Sequence, residues 1–410
     1  MRPNHIASLN RSILPLAALV GTMAGCAVAD DPEPVRVQGQ AIGKPPLTPK
    51  ELLGKALFFD KQLSTPHGQA CADCHAPSVG WTGPQPGINK RGAVYPGAVH
   101  YRFGNRKPPS AAYATPTPIL HLDNGNFVGG SFWDGRATGM VLGSPVAEQA
   151  MGPFLNPVEQ NNASAQVVCE RVAASAYAAL FIRVWGEGSL DCTPSQVDAT
   201  YRLIAFSIAA FEGSAEVNAF TSKYDAYLGG RATLSEREMA GLALFQGKGK
   251  CASCHPAPLF TDFTYDNLGV PPNPDNPFYR MDDVYVDGAP INPQGAAWVD
   301  PGLGGFLAHQ TFNPEWVALA PANLGKHKVP TLRNVDLRPG RGFAKAYTHN
   351  GFFKSLEEVV HFYNTRDVQS WPAPEVPSTV NTGELGNLGL TPGEERDIVA
   401  FLGTLSDGFR

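Results

Sequence analysis

Residues 71–75 read CADCH and residues 251–255 read CASCH, a near-repeat that differs at one position. In C-x-x-C-H the two thiols add to the vinyl groups of a haem, and the adjacent histidine supplies the proximal iron ligand. A redox C-x-x-C has no need of the histidine, and a zinc site would have to bring four ligands together around one ion. Two complete boxes therefore predict two covalently bound c-type haems. Cys71, Cys74, Cys251 and Cys254 are the attachment points, and His75 and His255 are the proximal ligands. The boxes specify only the proximal side of each iron, so the chemistry depends on what the chain places opposite.

Helix starts surround the two boxes. Thr48-Pro49-Lys50-Glu51, Ser235-Glu236-Arg237-Glu238 and Thr391-Pro392-Gly393-Glu394 each set a hydroxyl three residues before a Glu. That is the capping-box pattern, twice with Pro at the first helical position. The first leads through ELLGKALFFD to CADCH, the second through EMAGLALFQGKGK to CASCH, and the third opens ERDIVAFLGTL. Residues 197–211, VDATYRLIAFSIAAF, carry apolar side chains at helical spacing and predict a closing helix for the first unit. The expected fold is mainly α, with two cytochrome c-like haem domains over residues 45–228 and 231–408. Long Pro/Gly-rich loops are expected at about residues 76–130 and 262–328, and loops of that length usually carry function.

The 410 residues include 43 Gly and 37 Pro but no simple repeat, which predicts ordered, loop-rich structure rather than disorder. A net charge of −5 gives no broad basic field, and nucleic acid is excluded as an expected partner. Arg2 and Arg11 precede a short apolar run, so residues 1–29 read as a secretory signal peptide, too short for a stable membrane span. Export to the periplasm follows as the expectation. Cys26, in Met23-Ala24-Gly25-Cys26, is a candidate for lipidation and hence for a membrane anchor, with Ala27-Val28-Ala29 as the competing cleavage site. Cys169 and Cys192 remain, and in an oxidising compartment they are expected to pair as a disulfide, two buried thiols being the alternative.

Five further stretches carry a resemblance. LGKALFFDKQLS, FWDGRATG at 132–139, EQAMGPFLNPVEQ at 148–160, VPTLRNV at 329–335 and THNGFFKSLEEVV at 348–360 are similar to the bacterial di-haem cytochrome c peroxidase and MauG superfamily. The resemblance implies that Trp133 is the inter-haem tryptophan, that Gln149 lines the peroxide pocket, and that Glu159 handles protons during O–O cleavage. All three would serve the haem at CADCH. His100 is the candidate for a displaceable distal ligand there, with an ordinary loop histidine as the alternative. The resemblance also brings an inter-domain calcium site, but Lys107 and Ala344 stand where oxygen ligands are expected, so calcium stays open. Family members are often dimers, which makes a homodimer a candidate assembly.

The usual second-haem ligand of the peroxidases is a methionine after the HNG turn, whereas the only methionine here after His255 is Met281, outside that region. In SLEEVVHFYN, Leu356, Val359, Val360 and Tyr363 share one helical face. Tyr363 matches the tyrosine ligand of MauG-type members and is favoured as the sixth ligand, ahead of His361. A phenolate would stabilise the oxidised states of the iron.

The function expected is reduction of hydrogen peroxide at the N-terminal haem, with electrons relayed through the C-terminal haem from a small redox protein. A MauG-like oxidation of Trp or Tyr residues in a partner protein is the alternative. A non-catalytic di-haem electron carrier is a third reading, which predicts strong ligands on both irons and leaves Gln149 and Glu159 without a purpose.

Overall fold

The computed structural model describes residues 45–311 and 313–410. The expected signal peptide, Cys26 and the competing cleavage site lie outside the described residues. Among the described residues, twelve α-helices and six very short strands make the protein mainly α, and each strand pairs with one other in an antiparallel ribbon.

All three predicted capping boxes form. Thr48, Ser235 and Thr391 each accept from the backbone N–H of the Glu three residues on, whose carboxylate reaches back to the cap. The helices they open are Pro49–Phe59, Glu236–Gln246 and Pro392–Gly403, and the predicted closing helix is Val197–Glu212.

These four helices pack as two crossed pairs built alike. At Gly54 an added Cβ would lie 1.8 Å from the Ser207 carbonyl oxygen, and at Gly241 it would lie 1.9 Å from that of Asp397. Only glycine allows backbones to cross so closely. Beside each crossing sits an aromatic trio: Phe58, Trp81 and Phe211 in the first, and Phe245, Phe260 and Phe401 in the second. Each trio belongs to its own buried apolar cluster, and interlocked aromatics contribute beyond simple area burial.

The Pro/Gly-rich segments are more structured than the sequence suggests. Within 262–328 the chain forms the short helices Gly302–Leu307 and Pro314–Leu319. They bury Leu303, Leu307 and Trp316 against Leu120, Phe127 and Tyr265, which makes a third core out of both segments. Their low regular content hid a set of apolar side chains that find one another only in space. The helix Lys223–Leu228 places Tyr224 in the second core. Its Asp225 binds the buried Arg333 guanidinium through two oxygens, at 2.9 and 3.0 Å. Cys169 and Cys192 are joined as a disulfide with Cα atoms 5.6 Å apart. No described helix is long and apolar enough to cross a membrane.

Candidate active site

The two C-x-x-C-H boxes have matching local geometry. The His75 and His255 amides each donate at 2.9 Å to the carbonyl of the first cysteine of the box, Cys71 and Cys251. Cys74 and Cys254 share φ −108° and ψ −18°. His75 Nδ1 donates to the Trp81 carbonyl at 3.2 Å and His255 Nδ1 to the Phe260 carbonyl at 2.8 Å. The two accepting residues, Trp81 and Phe260, both have left-handed backbones, at φ 60° and 55°. A carbonyl can only accept, so each imidazole carries its proton on Nδ1 and leaves the Nε2 lone pair for a metal. Burial lowers the His75 pKa to about 4 and depresses that of His255, keeping both rings neutral, as ligation requires.

Each box opens onto its own cavity. Cys71, Cys74 and His75 line one of about 250 Å³, and Cys251, Cys254 and His255 line another of about 290 Å³. None of the four cysteines is in a disulfide, so both thiols of each box are available for attachment. Paired thiols, a neutral imidazole with a fixed tautomer and a largely apolar cavity are what a covalently attached haem requires. The residues fit the group at both boxes.

The cavities differ in what faces the box. Gln149, on the helix Pro145–Leu155, and Glu159, in the turn after it, line the first cavity and not the second. Leu356, Val359, Val360 and Tyr363, the predicted face of the helix Leu356–Thr365, all line the second cavity. The Tyr363 hydroxyl has no hydrogen-bond partner among the described residues, and burial raises its pKa. Met281 is buried elsewhere and does not line this cavity. His361 pairs with Glu395 at 3.0 Å and is 41% exposed. His100 lies exposed on the surface and does not line the first cavity, so the structure does not bring it to the iron site.

Trp133 lines both cavities and, among the described residues, is the one aromatic side chain common to them. It sits in a tight loop closed by pairing of Ser131 with Ala137. Gly135 turns that loop at φ 76°, where an added Cβ would lie 2.5 Å from the Tyr265 hydroxyl. The indole Nε1 donates to the Lys107 carbonyl at 2.8 Å, and the Trp133 carbonyl accepts from the Lys328 amide at 2.9 Å. The chain matches the di-haem cytochrome c peroxidase family over residues 48–233. It is 33% identical over 379 residues to the methylamine utilization protein MauG of Paracoccus denitrificans, spanning 87% of this chain and 88% of that one.

The chain belongs to the di-haem cytochrome c peroxidase family.

It is therefore a haem peroxidase-type oxidoreductase, and its cofactors are two covalently bound c-type haems. The cytochrome-c peroxidase IdrP1 of Denitromonas iodatirespirans is 29% identical, over 98% of this chain and 94% of that protein. Among solved structures, the diheme peroxidase BthA of Burkholderia thailandensis superposes with a TM-score of 0.73 at 30% identity, covering 89% of this chain and 87% of that one.

Several groups around the sites carry no role in the sequence reading. Glu212 lines the first cavity, and burial raises its pKa to about 8. Its position four residues after Ile208 and eight after Ile204, on the buried face of its helix, was the available signal. Lys107 is buried, its pKa lowered to about 8, and its ammonium donates to Pro108 O at 3.0 Å and Thr82 Oγ1 at 3.2 Å. Asp300, His327 and His349 also gather next to Trp133, with donor atoms within 4.8 Å of one another. Their geometry suits an ion-pair network better than an ion. The two imidazoles stack flat at 3.5 Å, His349 Nε2 already lies 2.9 Å from Glu375, and Arg106 grips both Asp300 oxygens at 2.6 Å.

Arg106 also holds Asp134 at 2.6 Å, and Asp134 in turn fixes Arg136 through bonds of 3.0 and 2.9 Å. Burial alone would raise the Asp134 pKa, but the two arginines outweigh it and hold the carboxylate below its ordinary range. Glu159 shows the opposite balance. Burial raises it, and Arg136 and a 2.8 Å bond from Asn156 Nδ2 offset only part of that rise.

Proposed function

We propose that the protein reduces hydrogen peroxide at the haem carried by CADCH, with electrons arriving through the haem carried by CASCH. The observation that carries this reading is the asymmetry of the two cavities around one shared indole. Gln149 and Glu159 line only the first, Tyr363 lines only the second, and Trp133 lines both. In this reading residues 45–228 and 231–408 act as two cytochrome c-like domains of different purpose, working in the periplasm.

Haem supplies the redox-active iron at which a peroxide O–O bond is cleaved. The net change is H2O2 + 2H+ + 2e− → 2H2O, so the protein must also manage protons. A carboxylate raised by burial is suited to take a proton from one peroxide oxygen and return it to the departing one. Glu159 has that character. Gln149, with both an amide donor and an amide acceptor, orients the peroxide beside it. Trp133, which lines both cavities, would supply a buried conjugated bridge between the groups they hold.

Tyr363 favours a second reading within the same machinery. A tyrosine in place of methionine stabilises the oxidised form of the second site, which suits withdrawal of electrons from Trp or Tyr residues of a partner protein. The electron-carrier reading leaves Gln149 and Glu159 with nothing to do. The deciding experiment supplies peroxide together with a reduced small redox protein. Oxidation of two one-electron donors per peroxide supports the peroxidase reading. Slow donor oxidation with peroxide-dependent modification of aromatic residues in an added protein supports the second, and no peroxide consumption removes both.

A further inference from the structure

A third cavity, of about 320 Å³, adjoins the first haem cavity and is walled by Phe132, Arg136, Ala137, Glu148, Gly152, Asn156 and Glu159. Phe132, Arg136, Asn156 and Glu159 line both spaces, so the two are contiguous through them. Arg136 and Gly152 are exposed to solvent. We infer that this cleft is the entrance for peroxide, and that Arg136 is a positioning residue that presents a fixed positive charge to Glu159 at its inner end. The inference rests on the reading above, in which Glu159 handles the protons of peroxide.

The wall is rigid where it needs to be. The Arg136 guanidinium carbon lies 3.7 Å from the centroid of the Phe132 ring, a cation–π contact, while two bonds to Asp134 fix its other edge. Asp134 is anchored by Arg106, whose side chain is only 9% exposed, so a half-exposed arginine inherits the order of a buried network. Phe132 itself has a left-handed backbone, φ 66°. On the rim, Glu148 accepts from the amides of Gly139, Val141 and Leu142 at 2.7, 2.6 and 2.8 Å, fastening that loop to the helix below.

The chemistry of the walls suits the cargo. Peroxide is small and both donates and accepts hydrogen bonds. Among the lining residues Arg136 and Asn156 offer donors and Glu159 an acceptor, while Phe132 and Gly152 add bare apolar surface. The gap between them is narrow, because a Cβ added at Gly152 would meet Phe132 Cζ at 3.4 Å. A long side chain at Gly152 therefore narrows the passage without adding or removing a charge. Arg136 acts on the charge of Glu159: it favours the carboxylate, the form able to accept a proton. The other charged groups around Glu159 are Glu148 in the cleft and Arg106, Lys107, Glu212 and Lys328 in the haem cavity. Cys71 and Cys74 become uncharged thioethers once haem is attached.

The test uses holoprotein, with haem content checked by absorbance, and follows the haem spectrum after rapid mixing with hydrogen peroxide across about pH 5–9. Arg136→Gln should lower the second-order rate constant by about tenfold or more at neutral pH and move the acid limb of the profile to higher pH. Arg136→Lys should return the limb toward its original position. Gly152→Leu should lower the rate constant across the whole pH range. A wild-type rate in Gly152→Leu overturns the entrance, and an unmoved limb in Arg136→Gln overturns the role of Arg136. If the wild-type protein itself ignores peroxide, the proposed function fails and this inference fails with it.

Discussion

The indole nitrogen of Trp133 donates to the backbone carbonyl of Lys107 at 2.8 Å, and the Lys107 amide donates to the His349 carbonyl at the same distance. The chain thus fixes the indole plane by main-chain bonds on the segment that runs between the two haem cavities. Trp133→Phe keeps a buried ring but removes the donor and much of the conjugated bridge. Haem incorporation should survive, at a stability cost of about 1 kcal/mol for the orphaned carbonyl. Transfer of electrons from the second haem to the first should slow by at least about tenfold, or ~1.4 kcal/mol on the barrier. Rapid mixing with a reduced donor measures this directly, and an unchanged rate would remove Trp133 from the relay.

Tyr363→Phe tests the second site without disturbing the first. The new ring would still pack on the helix face with Leu356, Val359 and Val360, because only a hydroxyl with no hydrogen-bond partner among the described residues is lost. The expected outcome is a change confined to the low-spin signal in electron paramagnetic resonance of the diferric protein. An identical spectrum would show that Tyr363 is not an iron ligand.

Glu159→Gln removes the proposed proton carrier but keeps its size and its contact with Asn156. Turnover with peroxide should fall by about 10²- to 10⁴-fold, the usual range for loss of a general acid–base group. The pH dependence has a definite sign. The Glu159 pKa is raised, so the base form is lost as pH falls through that raised value, and wild-type activity should decline on the acid side at a higher pH than a free carboxylate would give. Glu159→Gln should show no such limb.

Asp225→Asn tests the buried pair that ties the helix Lys223–Leu228 to the chain after the second haem box. Arg333 is 2% exposed, and Phe220 and Tyr113 lie over its guanidinium at 4.4 and 5.0 Å, so water cannot replace the lost carboxylate. Destabilisation of about 3–5 kcal/mol is expected in denaturant unfolding. In the wild type, burial would raise the Asp225 pKa but Arg333 holds it below the ordinary value. Its contribution is therefore present above about pH 4 and lost as pH falls further through the depressed folded value.

What could be read from the sequence was local. The C-x-x-C-H boxes and the capping boxes at Thr48, Ser235 and Thr391 are defined by residues three or four apart, and helical spacing alone groups Tyr363 with Leu356, Val359 and Val360. What could not be read depends on distant segments meeting. His100 sits near the family's distal position in sequence, yet the fold leaves it on the surface. The apolar residues of the two Pro/Gly-rich stretches have no periodicity, so the core joining Leu120 and Phe127 to Leu303 and Trp316 was invisible. Arg136 was in view within FWDGR, but its tie through Asp134 to Arg106 crosses a stretch of chain that carries no regular pattern.

The proposed function requires one haem open to peroxide and the other closed by a protein ligand. Electron paramagnetic resonance of the purified diferric holoprotein, recorded before and after addition of stoichiometric peroxide, tests this most directly. It should show one high-spin and one low-spin iron at rest, with peroxide consumed and both signals altered. Two low-spin irons, unresponsive to peroxide even after partial reduction, would contradict it.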